Sequence, residues 1–119
     1  MQRCQFVDHK GKKILVLDCS GCQPEDFDAI IDECARVVQS QPEKSVLTMT
    51  IAGGGMFDSV TVDKLKNLTR DNAPFVRNSA VVGVSGLQKV VLTAVSLFSK
   101  RKFNLFDDKL AAMDFLAAD

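Results

Sequence analysis

Three short runs of apolar and β-branched residues constrain most strongly what this chain can fold into. They are Ile14-Leu15-Val16-Leu17, Val46-Leu47-Thr48-Met49-Thr50-Ile51 and Ala80-Val81-Val82-Gly83-Val84. Such runs suit strands buried on both faces of a sheet. Each is followed by a segment whose apolar residues recur at helical spacing. Phe27, Ile30, Ile31, Cys34, Val37 and Val38 form the first stripe. Val62, Leu65 and Leu68 form the second, and Leu87, Val90, Val91, Ala94, Val95 and Phe98 the third. Strands that alternate with helices need crossover connections, so these strands run parallel.

Local signals supply the remaining elements. Cys4-Gln5-Phe6-Val7 is a short alternating strand. Asp8-His9-Lys10-Gly11 follows as a turn in which Gly11 can take φ > 0. The tight connection makes this first strand antiparallel and places it at or near an edge. Pro24, followed by Glu25 and Asp26, suits a helix start. Ser59 is read as the cap of the second helix, and Asn72 with Pro74 as its stop. Ser85 and Gln88 have capping-box spacing. Phe103-Asn104-Leu105-Phe106 is a last short strand. Asp107 is read as the cap of a final helix with Leu110, Met113 and Leu116 on its inner face.

The order is therefore β-β-α-β-α-β-α-β-α. It implies an α/β fold with a mostly parallel sheet of four or five strands, an antiparallel edge strand and helices packed on the sheet. At 119 residues the chain reads as one domain, residues 1–119.

Charge removes several functions. Lys plus Arg is 15 and Asp plus Glu is 15, so the formal net charge is zero. A general grip on nucleic acid is not expected. The basic run Lys100-Arg101-Lys102 reads as a solvated loop between a helix and a strand. No apolar run approaches the ~20 residues that span a bilayer, so no integral membrane protein is expected. Met1-Gln2-Arg3-Cys4-Gln5 lacks the apolar core of a leader. Cytoplasmic residence follows as an expectation, with Cys4, Cys19, Cys22 and Cys34 as free thiols.

Candidate sites fall at the carboxyl edge of the sheet, beyond the strand ends. Helix starts near Pro24, Ser59 and Ser85 present backbone N–H groups there. Gly53-Gly54-Gly55 and Gly83-Val84-Ser85-Gly86 let a ligand or partner come close. Met56 and Phe57 either touch a partner or fold back as a staple on the helix that follows. Asp58-Ser59 opens that helix, where a phosphate on Ser59 would add about two charges at the positive end of the dipole.

Catalytic motifs are incomplete. Cys19-Ser20-Gly21-Cys22 is a CxxC between a strand and a helix start, where a helix dipole would favour a thiolate. Zinc would need two further ligands, with Cys4, His9 and Cys34 as candidates, so no metal is expected. Gly83-Val84-Ser85-Gly86 resembles part of a nucleophile elbow, but Leu87 stands where a second glycine is needed. The one histidine, His9, precedes the serine and reads as a solvated turn residue. No enzyme is expected and no cofactor is implied.

Three segments carry a resemblance. They are Asn72-Ala73-Pro74-Phe75-Val76-Arg77, Ala80 to Lys89, and Arg101-Lys102-Phe103-Asn104-Leu105-Phe106-Asp107. With the element order, they resemble the single-domain SpoIIAA-like (STAS/SEC14-type) bacterial proteins. The resemblance implies a non-enzymatic STAS domain. STAS antagonists carry Asp-Ser-(Ser or Gly)-Gly at the second helix, with the serine phosphorylated. Asp58-Ser59 matches the first two positions; Val60 and Thr61 depart from the rest. The SEC14 side implies a hydrophobic ligand such as a lipid.

The leading expectation is a regulatory, protein-interaction module. Its partner would dock on the edge formed by Gly53, Gly54, Gly55, Met56, Phe57, Asp58, Ser59, Ser85 and Gly86. The alternative is a small anionic or lipid ligand at the same edge, and the more remote one is a thiol redox protein using Cys19 and Cys22. A homodimer is compatible with each.

Overall fold

The computed structural model describes residues 3–119; Met1 and Gln2, part of the segment read for a leader, lie outside the described residues. Its elements are β1 (Cys4–His9), β2 (Lys12–Asp18), a 3₁₀ turn (Pro24–Asp26), α1 (Phe27–Val38), β3 (Val46–Ile51) and α2 (Ser59–Asn72). A second 3₁₀ turn (Ala73–Phe75), β4 (Val76–Val82), α3 (Gly86–Ser99), β5 (Asn104–Phe106) and α4 (Lys109–Ala117) complete the chain. The order of strands and helices is the expected one. Among the described residues no helix is long and apolar enough to cross a membrane.

The sheet runs in sequence order, β1-β2-β3-β4-β5. β1 pairs with β2 antiparallel, and the other three pairings are parallel. The hairpin turns on Lys10 and Gly11, both at positive φ (50° and 79°). Two such residues in a row are what a tight two-residue hairpin needs.

Sequential strand order has a consequence for the helices. Every crossover moves along the sheet in the same direction, and right-handed crossovers then place α1, α2 and α3 on one face. Only α4, which crosses to no further strand, is free to cover the other. Period-two alternation sorts the side chains accordingly. Ile14, Leu47, Met49, Ala80 and Val82 pack with Ala112 and Leu116 of α4. Leu15 and Val46 pack with Cys34 and Val38 of α1 and Leu68 of α2.

Several local expectations are corrected. Asp58, not Ser59, caps α2: its backbone is extended and its carboxylate accepts from the Thr61 N–H at 2.8 Å. Ser59 is already the first helical residue. Asp108, not Asp107, caps α4, accepting from the Ala111 N–H at 3.0 Å. Both errors arise where two cap-forming residues stand side by side. Pro24 opens a 3₁₀ turn and α1 begins at Phe27. On α4 the inner face is Ala112, Met113 and Leu116, with Leu110 exposed. His9 ends β1 and its ring nitrogen lies 2.7 Å from the Asp114 carboxylate of α4, so it is not merely solvated.

The third helix differs most from its expected stripe. Its buried residues are Gln88, Val95 and Ser99, while Leu87, Val90 and Phe98 are exposed. Apolar residues occupy most of its circumference, so periodicity alone does not choose a face. The choice is made by the polar Gln88, whose amide is pinned to the sheet side.

Candidate functional site

The three loops at the carboxyl edge converge as expected, but chiefly on one another. The Gly21 N–H donates to the Gly53 carbonyl at 3.0 Å, and the Met56 N–H to the Cys22 carbonyl at 2.9 Å. A Cβ on Gly55 would lie 2.8 Å from the Cys19 carbonyl oxygen, so only glycine fits there. Gly83 takes φ 76°, and a Cβ added to it would lie 3.7 Å from the Gly53 backbone nitrogen. Gly53, Gly54, Ser85 and Gly86 are exposed. The glycines thus let three loops pack backbone to backbone.

The helix starts on this edge are occupied by the chain's own groups. The Asp58 carboxylate sits on the first turn of α2, and the Thr61 N–H it accepts holds it below the usual carboxylate range. On α3 the Ser85 hydroxyl accepts from the Gln88 N–H at 3.3 Å and the Gln88 side-chain Oε1 accepts from the Ser85 N–H at 3.0 Å. Ser59 is exposed beside Asp58. Met56 is 58% exposed. Phe57 is half-buried and packs onto Phe27 of α1, with ring centroids 5.0 Å apart.

Cys19 and Cys22 are both buried and free. Burial pushes the Cys19 thiol up to about 12, and burial raises Cys22 as well. A reactive thiol needs the opposite shift. Cys4 and Cys34 are both buried, and the interaction between their thiols holds Cys4 below and Cys34 above the ordinary thiol value.

A concavity lies elsewhere, between the sheet and α3. None of the three clusters of buried apolar residues includes a residue of α3. The cause is the composition of the strand face beneath it. There β3 presents Thr48 and Thr50, with Ala52 just beyond its end, and β4 presents Ser79 and Val81. These short side chains do not reach the helix. The result is a cavity of ≈ 120 Å³. Leu15 and Leu17 form part of its floor, Leu65 and Leu68 of α2 one wall, Val91, Leu92 and Val95 the roof, and Phe27 and Phe57 one end. Its lining contains no Asp or Glu. An enclosed, purely apolar cavity of about 150 Å³ takes up benzene-sized molecules; this one is of similar size but partly open, with Thr48, Thr50, Thr69, Asn72 and Arg101 among its lining.

Two polar groups mark its ends. At the carboxyl edge the Gln88 amide donates to the Ala52 and Gly55 carbonyls at 3.0 and 2.7 Å. At the other end stands Arg101, from the run expected to be solvated. Lys100 and Lys102 are exposed, but Arg101 turns in beneath α3 and lines the cavity. Lys100 takes the left-handed conformation (φ 59°) that ends α3 and reverses the chain. Nothing in a Lys-Arg-Lys triplet announces which residue turns inward. The alternating Thr48 and Thr50 in an otherwise apolar strand is the signal that could have located the cavity.

The sheet order explains why the site lies on a face and not at the edge. Edge crevices in open α/β sheets form at a switch point, where strand order reverses. Here order never reverses, so no such crevice opens. No protein-family model, curated protein or solved structure matches this chain.

Proposed function

We propose that this chain is a non-enzymatic binding module that holds a small, mainly apolar molecule between its sheet and α3. The observation that carries the reading is the ≈ 120 Å³ cavity roofed by Val91, Leu92 and Val95. A void in a core costs stability, because its walls lack contacts on one side. A ligand restores those contacts. The element order and the sequence resemblance support a STAS-type domain of the SpoIIAA-like kind, and the free cysteines support a cytoplasmic home.

Titration with 1-hexanol, followed by methyl NMR, tests this. The methyls of Leu65, Val91 and Val95 shift saturably, whereas those of Leu116 on the opposite face of the sheet do not. If the cavity methyls stay unmoved up to the solubility limit, the reading fails.

A second reading, a regulatory module that meets a protein partner, is favoured by the outer face of α3. Leu87, Val90 and Leu97 are 79%, 68% and 76% exposed there, and Met56 and Val60 are exposed as well. Grouped exposed apolar residues of this kind mark contact surfaces. Ser59 lies on the adjoining helix start, where a phosphate would alter that surface. The two readings are compatible, since α3 presents one face to the cavity and the other to solvent.

A further inference from the structure

The polar end of the cavity has donors in excess. The Arg101 guanidinium donates to the Thr69 carbonyl at 3.2 Å and to the Ser79 hydroxyl at 2.6 Å. A guanidinium has five N–H donors, so most remain available. Its position is held from three sides. The Ser96 hydroxyl donates to the Arg101 carbonyl at 2.5 Å, the Phe103 ring lies 4.9 Å from the guanidinium carbon, and α2 supplies the Thr69 carbonyl.

The neighbouring hydroxyls add to the excess. Thr48 Oγ1 and Ser79 Oγ are hydrogen-bonded at 2.8 Å. Ser79 Oγ also accepts from Arg101. Whichever way the Thr48–Ser79 bond runs, one hydroxyl proton is left without an acceptor among the described residues. No ion pair among the described residues includes Arg101. Burial pushes its guanidinium down to about 10, which still leaves it charged at neutral pH. A half-buried cation with no counter-charge beside an apolar void is an unfavourable arrangement on its own.

We propose that the ligand of this cavity carries a single carboxylate received by Arg101 and the Thr48–Ser79 hydroxyl pair, so that the site takes small apolar monocarboxylic acids. The proposal rests on the cavity-binding reading and adds the head-group chemistry to it. One carboxylate neutralises the one cation, and its oxygens accept from the guanidinium fork and the free hydroxyl proton. A doubly charged phosphate would leave one negative charge uncompensated. The apolar body then extends toward Leu65, Val91 and Phe57, away from the polar end.

Hexanoate, 1-hexanol and hexylamine share one chain and differ only in the head, and so test this on the unaltered protein. Hexanoate binds at least about tenfold more tightly than hexanol, and hexylamine more weakly than either. In Arg101→Gln the hexanoate affinity falls to that of hexanol, and hexanol binding itself reports that the cavity is still folded. Lys102→Gln, which removes an exposed neighbouring charge, leaves the preference intact. Equal binding of hexanoate and hexanol by the wild type overturns the carboxylate assignment while leaving the cavity reading standing. So does a preference that survives Arg101→Gln or vanishes in Lys102→Gln. Failure of all three ligands to bind is a failure of the cavity reading itself, and the head-group assignment falls with it.

Discussion

The Gln88 side-chain amide donates to the Gly55 carbonyl at 2.7 Å, and so ties the first turn of α3 to the loop that follows β3. The same nitrogen donates to the Ala52 carbonyl, and the amide oxygen accepts from the Ser85 N–H. One buried side chain thus joins the capping of a helix to the closing of the cavity's edge. Gln88→Ala leaves the Ala52 and Gly55 carbonyls without this donor. A loss of about 1–3 kcal/mol in urea denaturation is expected. Gln88→Glu should lose a similar amount, because a carboxylate accepts but does not donate.

Glycine positions in the same loops separate by the space around them. Gly55→Ala places a methyl 2.8 Å from the Cys19 carbonyl oxygen, a rigid backbone neighbour. It should destabilise by about 1–3 kcal/mol. A Cβ on Gly86 meets nothing within 4 Å. Gly86→Ala, at the first position of α3, should be neutral or stabilising by up to about 1 kcal/mol. Denaturation midpoints check both statements: that of Gly55→Ala falls, whereas that of Gly86→Ala stays or rises.

Asp58 and Ser59 should behave oppositely. Asp58→Ala removes the acceptor of the Thr61 N–H and lowers the thermal midpoint. Ser59→Asp changes an exposed residue and should shift stability by no more than ~0.5 kcal/mol. If a phosphorylated Ser59 is a switch on a partner-binding face, Ser59→Asp abolishes capture of that partner while the circular dichroism spectrum is unchanged. A variant that captures the partner as well as wild type does removes the switch.

Cys19 and Cys22 should be silent in the folded protein. Cys19 is held up to about 12 by burial, and Cys22 is raised by the same cause. Thiol-specific labelling of Cys19 and Cys22 at pH 8 should be slow in the native state and rapid in denaturant. Rapid labelling of Cys19 and Cys22 in the native protein would restore a redox reading of the pair.

Acid should weaken the fold through three carboxylates. The Ser20 hydroxyl holds Asp18 below its ordinary value of 3.8, the Thr61 N–H does so for Asp58, and His9 does so for Asp114. A depressed folded value means that the contribution is complete above the unfolded value and is lost as pH falls through the folded one. The urea midpoint should therefore drop below about pH 4. Asp114→Asn should drop less steeply over that interval, because its contact with His9 no longer titrates.

The sequence by itself determined the elements and their order. Continuous apolar runs such as Ile14 to Leu17 and period-3.6 stripes such as Phe27 to Val38 are local patterns, and local patterns are readable without the fold. Right-handed crossovers then made a parallel sheet with an antiparallel edge nearly obligatory. The glycines and helix starts at the carboxyl edge were also legible, and they do meet. Only the tertiary structure decided what they are for. Loop packing against Cys19 and Gly53 occupies the glycines, and Asp58 and Gln88 occupy the helix ends. The cavity was hidden because it is a property of a gap. It exists only where the short Thr48, Thr50 and Ser79 of two strands lie opposite a helix contributed by residues far along the chain. Arg101 was hidden for the same reason. Its neighbours Lys100 and Lys102 are solvated, and the direction in which it points depends on the left-handed turn at Lys100 and on partners at Thr69 and Ser79, which are distant in sequence and adjacent only once the chain has folded.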